Sequence, residues 1–92
     1  MTSLTVTSVA GSTSGSTAIT VEPGLSSGNS YKYKTAANPT MPSTGQECKT
    51  GYTAWKGTDD IAATAGQKIV VAEVDANNKC VGAGMTAVTV KE

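Results

Sequence analysis

Two cysteines, Cys48 and Cys80, are the most reactive side chains of this 92-residue chain. Their separation excludes a Cys-x-x-Cys redox or zinc motif, so they either pair with each other or stay free. If strands near 52–56 and 68–75 form an antiparallel hairpin, a disulfide between the two cysteines would close its open end, provided that the compartment is oxidising. If residues 60–63 form a strand of their own, the two strands could belong to different sheets and the thiols could lie apart. The sequence leaves both arrangements open.

The chain contains no histidine, which removes the commonest general base and metal ligand. It also removes every Ser-His and Cys-His nucleophile pair. A glycosidase pair would have to come from the seven carboxylates, but a chain this short offers little room for a substrate cleft. Glu73 and Asp75 are expected on the solvent-facing side of one strand. The sequence therefore predicts a protein that is not an enzyme and that uses no cofactor.

Acidic and amide side chains cluster at Asp59-Asp60 and at Asp75-x-Asn77-Asn78. Such oxygens could ligate calcium in a loop. The spacing lacks the alternating acids and the final glutamate of a dedicated calcium loop, and Asp and Asn are the ordinary residues of turns. We therefore interpret both groups as turns and predict no metal site.

Four aromatic rings, Tyr31, Tyr33, Tyr52 and Trp55, are the only large rings, because phenylalanine is absent. Exposed rings could stack on sugars, but a small sandwich needs its few large side chains for its core. We predict that these four rings belong to the core.

Seven basic residues, all lysine, balance seven acidic residues, and no run of like charge occurs. This pattern argues against a nucleic-acid partner, which would select a basic stripe, and against an anionic membrane surface. No apolar run approaches the roughly 20 residues of a transmembrane helix, and the first residues lack the features of a signal peptide. Either the natural start of the chain has been replaced, or the protein leaves the cell by another route, such as lysis.

Threonine and β-branched residues fill short runs that are separated by Gly, Ser, Asn and Pro, a pattern typical of a small all-β core. In the third run, Tyr31 and Tyr33 are expected on one face of a strand and Lys32 and Lys34 on the other. We predict one immunoglobulin-like antiparallel β-sandwich domain over residues 1–92. Its expected strands are 4–10, 16–21, 30–35, 52–56, 68–75 and 85–91, with a possible short strand at 60–63.

Two segments show no clear periodicity in the spacing of their apolar residues. Residues 60–66 fit either a short helix or a strand followed by a turn, and we favour the strand because two helical turns are marginally stable. Residues 36–51 contain several prolines and glycines and predict a long loop, and loops of this length are often functional. Asn38, Met41 and Gln46 in this loop are candidate partner-binding residues, with the unpaired edge of the N-terminal strand as the alternative surface.

Four stretches carry a resemblance to a known family: LTVTSVAG at 4–11, NSYKYK at 29–34, GYTAW at 51–55 and GQKIVVAEVD at 66–75. Together they resemble small immunoglobulin-like or fibronectin-III-like virion proteins of clostridial and other Firmicute phages. The resemblance implies a non-enzymatic capsid decoration protein that stabilises the assembled head or displays a surface. It also implies a homo-oligomer on the major capsid protein lattice, located on the virion surface after synthesis in the host cytoplasm.

Two other functions stay open. One is a carbohydrate-binding or adhesin module that recognises host glycans, which predicts solvent-exposed Trp55 or Tyr52. The other is an immunoglobulin-like domain of a tail protein, which predicts a natural product much longer than this chain. The shared stretches are structural, so the resemblance assigns no functional residue.

Overall fold

The computed structural model describes residues 2–22, 25, 27–48, 51–57 and 59–92. These residues form strands and loops and include no helix, so none of them forms a helix able to cross a membrane. The strands are β1 (Thr2–Ser3), β2 (Thr5–Ala10), β3 (Ser16–Glu22), β4 (Ser30–Ala36), β5 (Thr53–Trp55), β6 (Ile61–Ala62), β7 (Lys68–Val74) and β8 (Cys80–Ala87).

The strands form two sheets that face each other. The larger sheet has the order β1-β8-β7-β4-β5, and the smaller sheet has the order β2-β3-β6. All neighbouring strands are antiparallel except β1 and β8, which are parallel. This strand order is that of an immunoglobulin-like sandwich. The predicted all-β sandwich is therefore confirmed.

The space between the sheets is filled by aliphatic and aromatic side chains. Within it, the rings of Tyr31 and Trp55 lie 5.4 Å apart at an angle of 38°. The indole N–H of Trp55 donates a hydrogen bond of 2.8 Å to the carbonyl oxygen of Asp59, so the ring is buried without an unpaired polar atom. The buried members of this inter-sheet core are Leu4, Val6, Ile19, Tyr31, Trp55, Ile61, Ile69 and Val71.

Strand β7 lies at the centre of the larger sheet and is buried on both faces. Ile69 and Val71 belong to the inter-sheet core, whereas Ala72 and Val74 contact a second cluster on the outer face. Because both faces are covered, this strand shows no polar alternation in sequence. The prediction that Glu73 faces solvent is wrong for the same reason, since only 4% of its surface is exposed.

The segment 60–66 contains strand β6, as predicted, and Ile61 pairs with Thr17 of β3. The hairpin between 52–56 and 68–75, one of the two arrangements that the sequence left open, does not form, because β4 lies between β5 and β7 in the sheet. Tyr31 pairs with Trp55 on one side and with Glu73 on the other. The chain visits the smaller sheet through β6 before it returns to form β7.

The last strand also differs from the prediction, because β8 spans Cys80–Ala87 rather than 85–91. Its first half, which contains Gly82 and Gly84, lies before the predicted strand. Gly84 lies directly against the carbonyl oxygen of Leu4, and a Cβ atom at this position would collide with that oxygen. Glycine thus allows the first and last parts of the chain to approach each other closely.

The chain enters and leaves the sandwich at opposite ends. Thr2 pairs with Gly82 near the start of β8. Beyond β8 the chain runs on in the same direction, and the Lys91 N–H donates to the carbonyl oxygen of Ser16. Extended residues advance about 3.3 Å each, so the strand from Gly82 to Ala87 covers roughly 17 Å, and four further residues lead to Lys91. The long axis of the molecule measures 36 Å.

Candidate functional site

The turn between β7 and β8 positions Cys80. The carboxylate of Asp75 accepts hydrogen bonds from the backbone N–H groups of Asn77, at 2.8 Å, and Lys79, at 3.0 Å. Asn78 adopts a left-handed conformation with φ of 61°, which asparagine tolerates better than most residues. The Asp75 carboxylate therefore stabilises the turn that leads into β8.

Residues 45–48 run alongside the β7–β8 turn and the start of β8, and this pairing brings Cys48 close to Cys80. The segment is paired to the turn through an antiparallel bridge between Glu47 and Lys79, whose side chains lie 4.0 Å apart at the surface. Three backbone hydrogen bonds of 2.8 Å fasten the segment, from Gly45 to Cys80, from Cys48 to Asn78 and from Cys80 to Gln46.

Cys48 and Cys80 are both fully buried, and their side chains lie in contact with each other. The Cys48 thiol points at the carbonyl oxygen of Gln46, at 3.7 Å, and the Cys80 thiol at that of Gly82, at 3.4 Å. Burial, followed by the neighbouring Cys48 thiol, raises the pKa of Cys80. A protonated, buried thiol is a poor nucleophile, so this pair is not arranged for catalysis.

Tyr52 covers the two thiols. Its hydroxyl is buried and makes no hydrogen bond of good geometry with the described part of the chain, although the Cys48 thiol lies beside it. Burial first, and then the Cys48 and Cys80 thiols, raise the pKa of Tyr52 to about 12. On its other side, Lys34 Nζ lies 4.9 Å from the ring centroid in a cation–π contact. The outer-face cluster consists of Cys48, Ala72, Val74, Cys80 and Ala83, with Tyr52 against it.

A cleft of about 350 Å³ lies beside β5 and β6, and it is the second candidate site. Tyr31, Tyr33 and Trp55 line it, and Asp59 and Asp60 lie at its rim. Tyr31 is 6% exposed and Trp55 is 8% exposed, so their rings are committed to the inter-sheet core. Only Tyr33, which is half-buried, keeps part of its ring accessible. The cleft therefore offers no broad aromatic platform for a sugar.

Asp60, at the rim of this cleft, holds the β2–β3 loop. Its carboxylate accepts hydrogen bonds from the hydroxyl of Ser12, at 2.6 Å, and from the Ser12 backbone N–H, at 2.7 Å. These bonds favour the ionised form and lower the pKa of Asp60. Nowhere in the described ranges do three or more Cys, Asp or Glu side chains gather as a metal site would require.

The three candidate partner-binding residues, Asn38, Met41 and Gln46, are all exposed on the segment that precedes Cys48. Gln46 is also tied locally, because its side-chain oxygen accepts a hydrogen bond of 2.9 Å from the Ser43 N–H. Partner binding by these residues stays a prediction.

The outer-face cluster does not follow from the sequence pattern. Residues 36–51 predict a long loop, whereas Pro42 and Cys48 within this stretch are buried. One available signal was the uninterrupted apolar run of β7, Ile69 to Ala72, which is typical of a strand covered on both faces.

Comparisons with known proteins identify the family. Residues 9–92 match the family described as the S-layer protein SbsC C-terminal domain. The fold is similar to the crystal structure of domains 7, 8 and 9 of the S-layer protein SbsC, with a TM-score of 0.76 and 29% identity over 91% of this chain. It is also similar to the structure of domains 4–9 of that protein, with a TM-score of 0.73 and 30% identity over 95% of this chain. A comparison with the curated proteins finds no match.

This chain covers 26% of the first of those structures and 14% of the second, so it spans a small part of either. The matches overturn the predicted phage virion identity, and with it the capsid decoration function, the capsid lattice partner and the virion location. They also give no support to a host-glycan adhesin or a tail-protein domain.

The physical reason for this error is that the four resembling stretches are strand sequences. An immunoglobulin-like strand pattern recurs in proteins of unrelated function, so the pattern alone does not identify the assembly that uses it. The family match extends instead over nearly the whole sandwich, from the end of β2 to the last residue. The chain belongs to the S-layer protein SbsC C-terminal domain family.

Proposed function

We propose that this chain is a structural, non-enzymatic domain of a surface-layer protein and contributes to a protein lattice on the outside of a bacterial cell. The family match over residues 9–92 is the observation that carries the proposal. The similar structures contain several consecutive SbsC domains, and this chain has the size of one of them. We therefore expect it to work as one domain in a row.

The path of the chain supports a place in such a row. Thr2 lies near one end of the sandwich and Lys91 near the other, along the 36 Å axis. A domain that precedes this one and a domain that follows it would attach at opposite ends, without competing for the same surface. Domains joined in this way form an extended array.

The edges of the sheets suit repeated packing side by side. Three of the four edge strands are short, since β1 and β6 contain two residues each and β5 contains three, whereas the fourth edge strand, β2, contains six. Short edge strands offer few free backbone groups, which limits unspecific pairing between neighbouring sheets. Contacts between molecules would then depend on side chains, and the exposed Asn38, Met41 and Gln46 are our proposed contact residues.

The chemistry of the chain favours a structural role over catalysis. Histidine is absent, and Cys48 and Cys80 are fully buried. The pKa of the Cys80 thiol is raised by burial, which disfavours the thiolate that a cysteine nucleophile needs. The two thiols, which are the most reactive side chains of the chain, are therefore inaccessible to a substrate.

The test compares the gene product that carries this chain with the same product lacking residues 2–92. Surface material extracted from cells with guanidinium would be dialysed and imaged by negative-stain electron microscopy, and intact cells would be labelled with an antibody against this chain. We expect surface labelling and ordered sheets for the unaltered protein, and lost or disordered sheets for the deletion. A product bearing the exposed substitution Ala62→Ser is the matched control and should form normal sheets.

A cytosolic or virion-associated product that never labels intact cells would contradict the proposal. A product bearing Met41→Asp tests the contact surface separately. We expect normal surface labelling with poorly ordered sheets if Met41 lies at a contact, and unchanged sheets would exclude this residue from the interface.

A further inference from the structure

We propose that Cys48 and Cys80 are a disulfide pair, and that their bond locks residues 42–48 to the start of β8. The two thiols come from segments that are far apart in sequence. The fold nevertheless places both in one fully buried cluster, in mutual contact. The bond would convert a segment held by a few hydrogen bonds into one that is covalently attached.

The register of the backbone explains why the two side chains meet. Glu47 and Lys79 oppose each other in an antiparallel bridge and direct their side chains to the surface. The next residue on each strand, Cys48 on one and Cys80 on the other, therefore points inward to the same face. Side chains in such a diagonal arrangement across two strands are close enough to interact.

The surroundings are compatible with a bond between the sulfur atoms. The neighbours Ala72 and Ala83 are small. The Cys48 thiol contacts a carbonyl oxygen at 3.7 Å, and the Cys80 thiol contacts another at 3.4 Å. Because thiols are weak donors, loss of these contacts on oxidation costs little. The complete burial of both sulfurs would then shield the bond from external reductants.

The oxidant we name is a small disulfide such as oxidised glutathione. The Cys48 thiolate attacks one of its sulfurs, which forms a mixed disulfide and releases one small thiol. The Cys80 thiolate then attacks the Cys48 sulfur and releases the second small thiol. The protein loses two electrons and two protons, and the small disulfide gains them. Buried thiols react in this way during folding, or when the hydrogen bonds that fasten residues 42–48 open locally.

A location outside the cytoplasm would supply such oxidants, and this point alone rests on the proposed function. The assignment of the pair rests on the fold. Its experiment uses no lattice and no cell, so a negative result would leave the surface-layer proposal standing.

The experiment refolds the 92-residue chain from guanidinium in a mixture of reduced and oxidised glutathione, and in parallel with a phosphine reductant. We expect the oxidised product to be a monomer about 2 Da lighter that resists alkylation, with Cys48 and Cys80 joined in one peptide. The bond closes a loop of roughly 30 residues, so the melting temperature should rise by about 10–20 °C over the reduced protein.

The variants Cys48→Ala, Cys80→Ala and the double variant are the controls, and each should melt at the same temperature with and without oxidant. The wild-type comparison does not depend on their folding. The proposal is overturned if the wild-type chain keeps two alkylatable thiols after oxidative refolding, if it carries glutathione on both cysteines, or if the bonded form melts no higher than the reduced form.

Discussion

The two faces of the larger sheet are built differently, although β7 belongs to both. The face toward the smaller sheet is covered by large aliphatic and aromatic side chains from five other strands or their flanks. The outer face carries two thiols, two alanines and one valine, with a tyrosine hydroxyl that finds no good partner among the described residues. The same strand thus packs against large apolar side chains on one face and against a smaller, more polar cluster on the other.

The difference indicates that the two faces stabilise different parts of the fold. The inter-sheet core joins strands from both sheets, so its loss should unfold the whole domain. The outer-face cluster attaches residues 42–48 through three backbone hydrogen bonds and the packing of small side chains. This segment should therefore open at a lower free energy than the sheets, as locally held segments do. Four predictions test this comparison.

Truncation of Trp55 should have the largest effect. Trp55→Ala removes the ring that packs on Tyr31 and the hydrogen bond to Asp59, and we expect a loss of about 3–5 kcal/mol in the free energy of unfolding. Urea denaturation followed by circular dichroism measures it. Tyr52→Ala in the outer-face cluster is the matched variant and should cost less than half as much. Equal losses would show that the two faces of the larger sheet contribute equally to the free energy of unfolding.

Gly84 tests the close approach of the chain ends at the inter-sheet face. Gly84→Ala places a Cβ atom against the Leu4 carbonyl oxygen, so the backbone must shift, at a cost of about 1–3 kcal/mol. Ala87→Gly, at the exposed end of the same strand, should change stability by less than about 1 kcal/mol. Thermal melts of the two variants compare them directly, and a neutral Gly84→Ala would argue against this close contact.

Alkaline pH should weaken the outer-face cluster first. Burial raises the pKa of Cys80 above 9.0 and that of Tyr52 to about 12, so each group holds its proton more tightly in the folded chain than in the unfolded chain. Their stabilisation is complete below the unfolded pKa values and is lost as the pH rises through the folded ones. We expect reduced protein to lose stability between about pH 9 and pH 12.

Urea melts across this range, paired with the absorbance of ionised tyrosine, measure the pH effect. The loss should be smaller in Tyr52→Phe and in Cys80→Ala. A pH profile that is the same in these variants and in the wild type would place the responsible groups elsewhere, for example at Tyr31, whose pKa is also raised by burial.

The smallest effect is expected from removal of the Tyr52 hydroxyl. Because this oxygen is buried without a good hydrogen bond, Tyr52→Phe should stabilise the protein by about 0.5–1 kcal/mol at neutral pH. Tyr33→Phe, at a half-buried ring on the other face, is the control and should be close to neutral. A clear destabilisation by Tyr52→Phe would show that the Tyr52 hydroxyl makes a stabilising hydrogen bond in the outer-face cluster.

Much of the fold was predictable from local patterns. The predicted limits of β2, β3, β4 and β7 agree with the structure to within a residue at each end, because β-branched runs and turn residues are local signals. The limits of β8 were not predictable, since its glycine-containing half becomes a strand by pairing with β7 and by the close approach of Gly84 to Leu4. Whether β5 and β7 are neighbours was left open for a similar reason, because the choice of a neighbouring strand depends on distant parts of the chain.

The candidate site was less accessible to sequence analysis. Cys48 and Cys80 were singled out by type, and their pairing was left open. The register that brings them together differs from the hairpin that the sequence suggested, and Tyr52 enters the site only through folding of the loop. The phage assignment failed because strand patterns specify a sandwich and not the assembly that contains it.

By itself, the sequence determined the all-β class, the positions of most strands and the shortage of groups for catalysis, because these depend on residue type and on spacing along a few neighbouring residues. Only the tertiary structure decided which strands are neighbours, that the outer face of β7 is covered, and that Cys48 lies against Cys80. These features depend on contacts between residues far apart in the chain. Such contacts contribute to stability only when the whole sandwich forms.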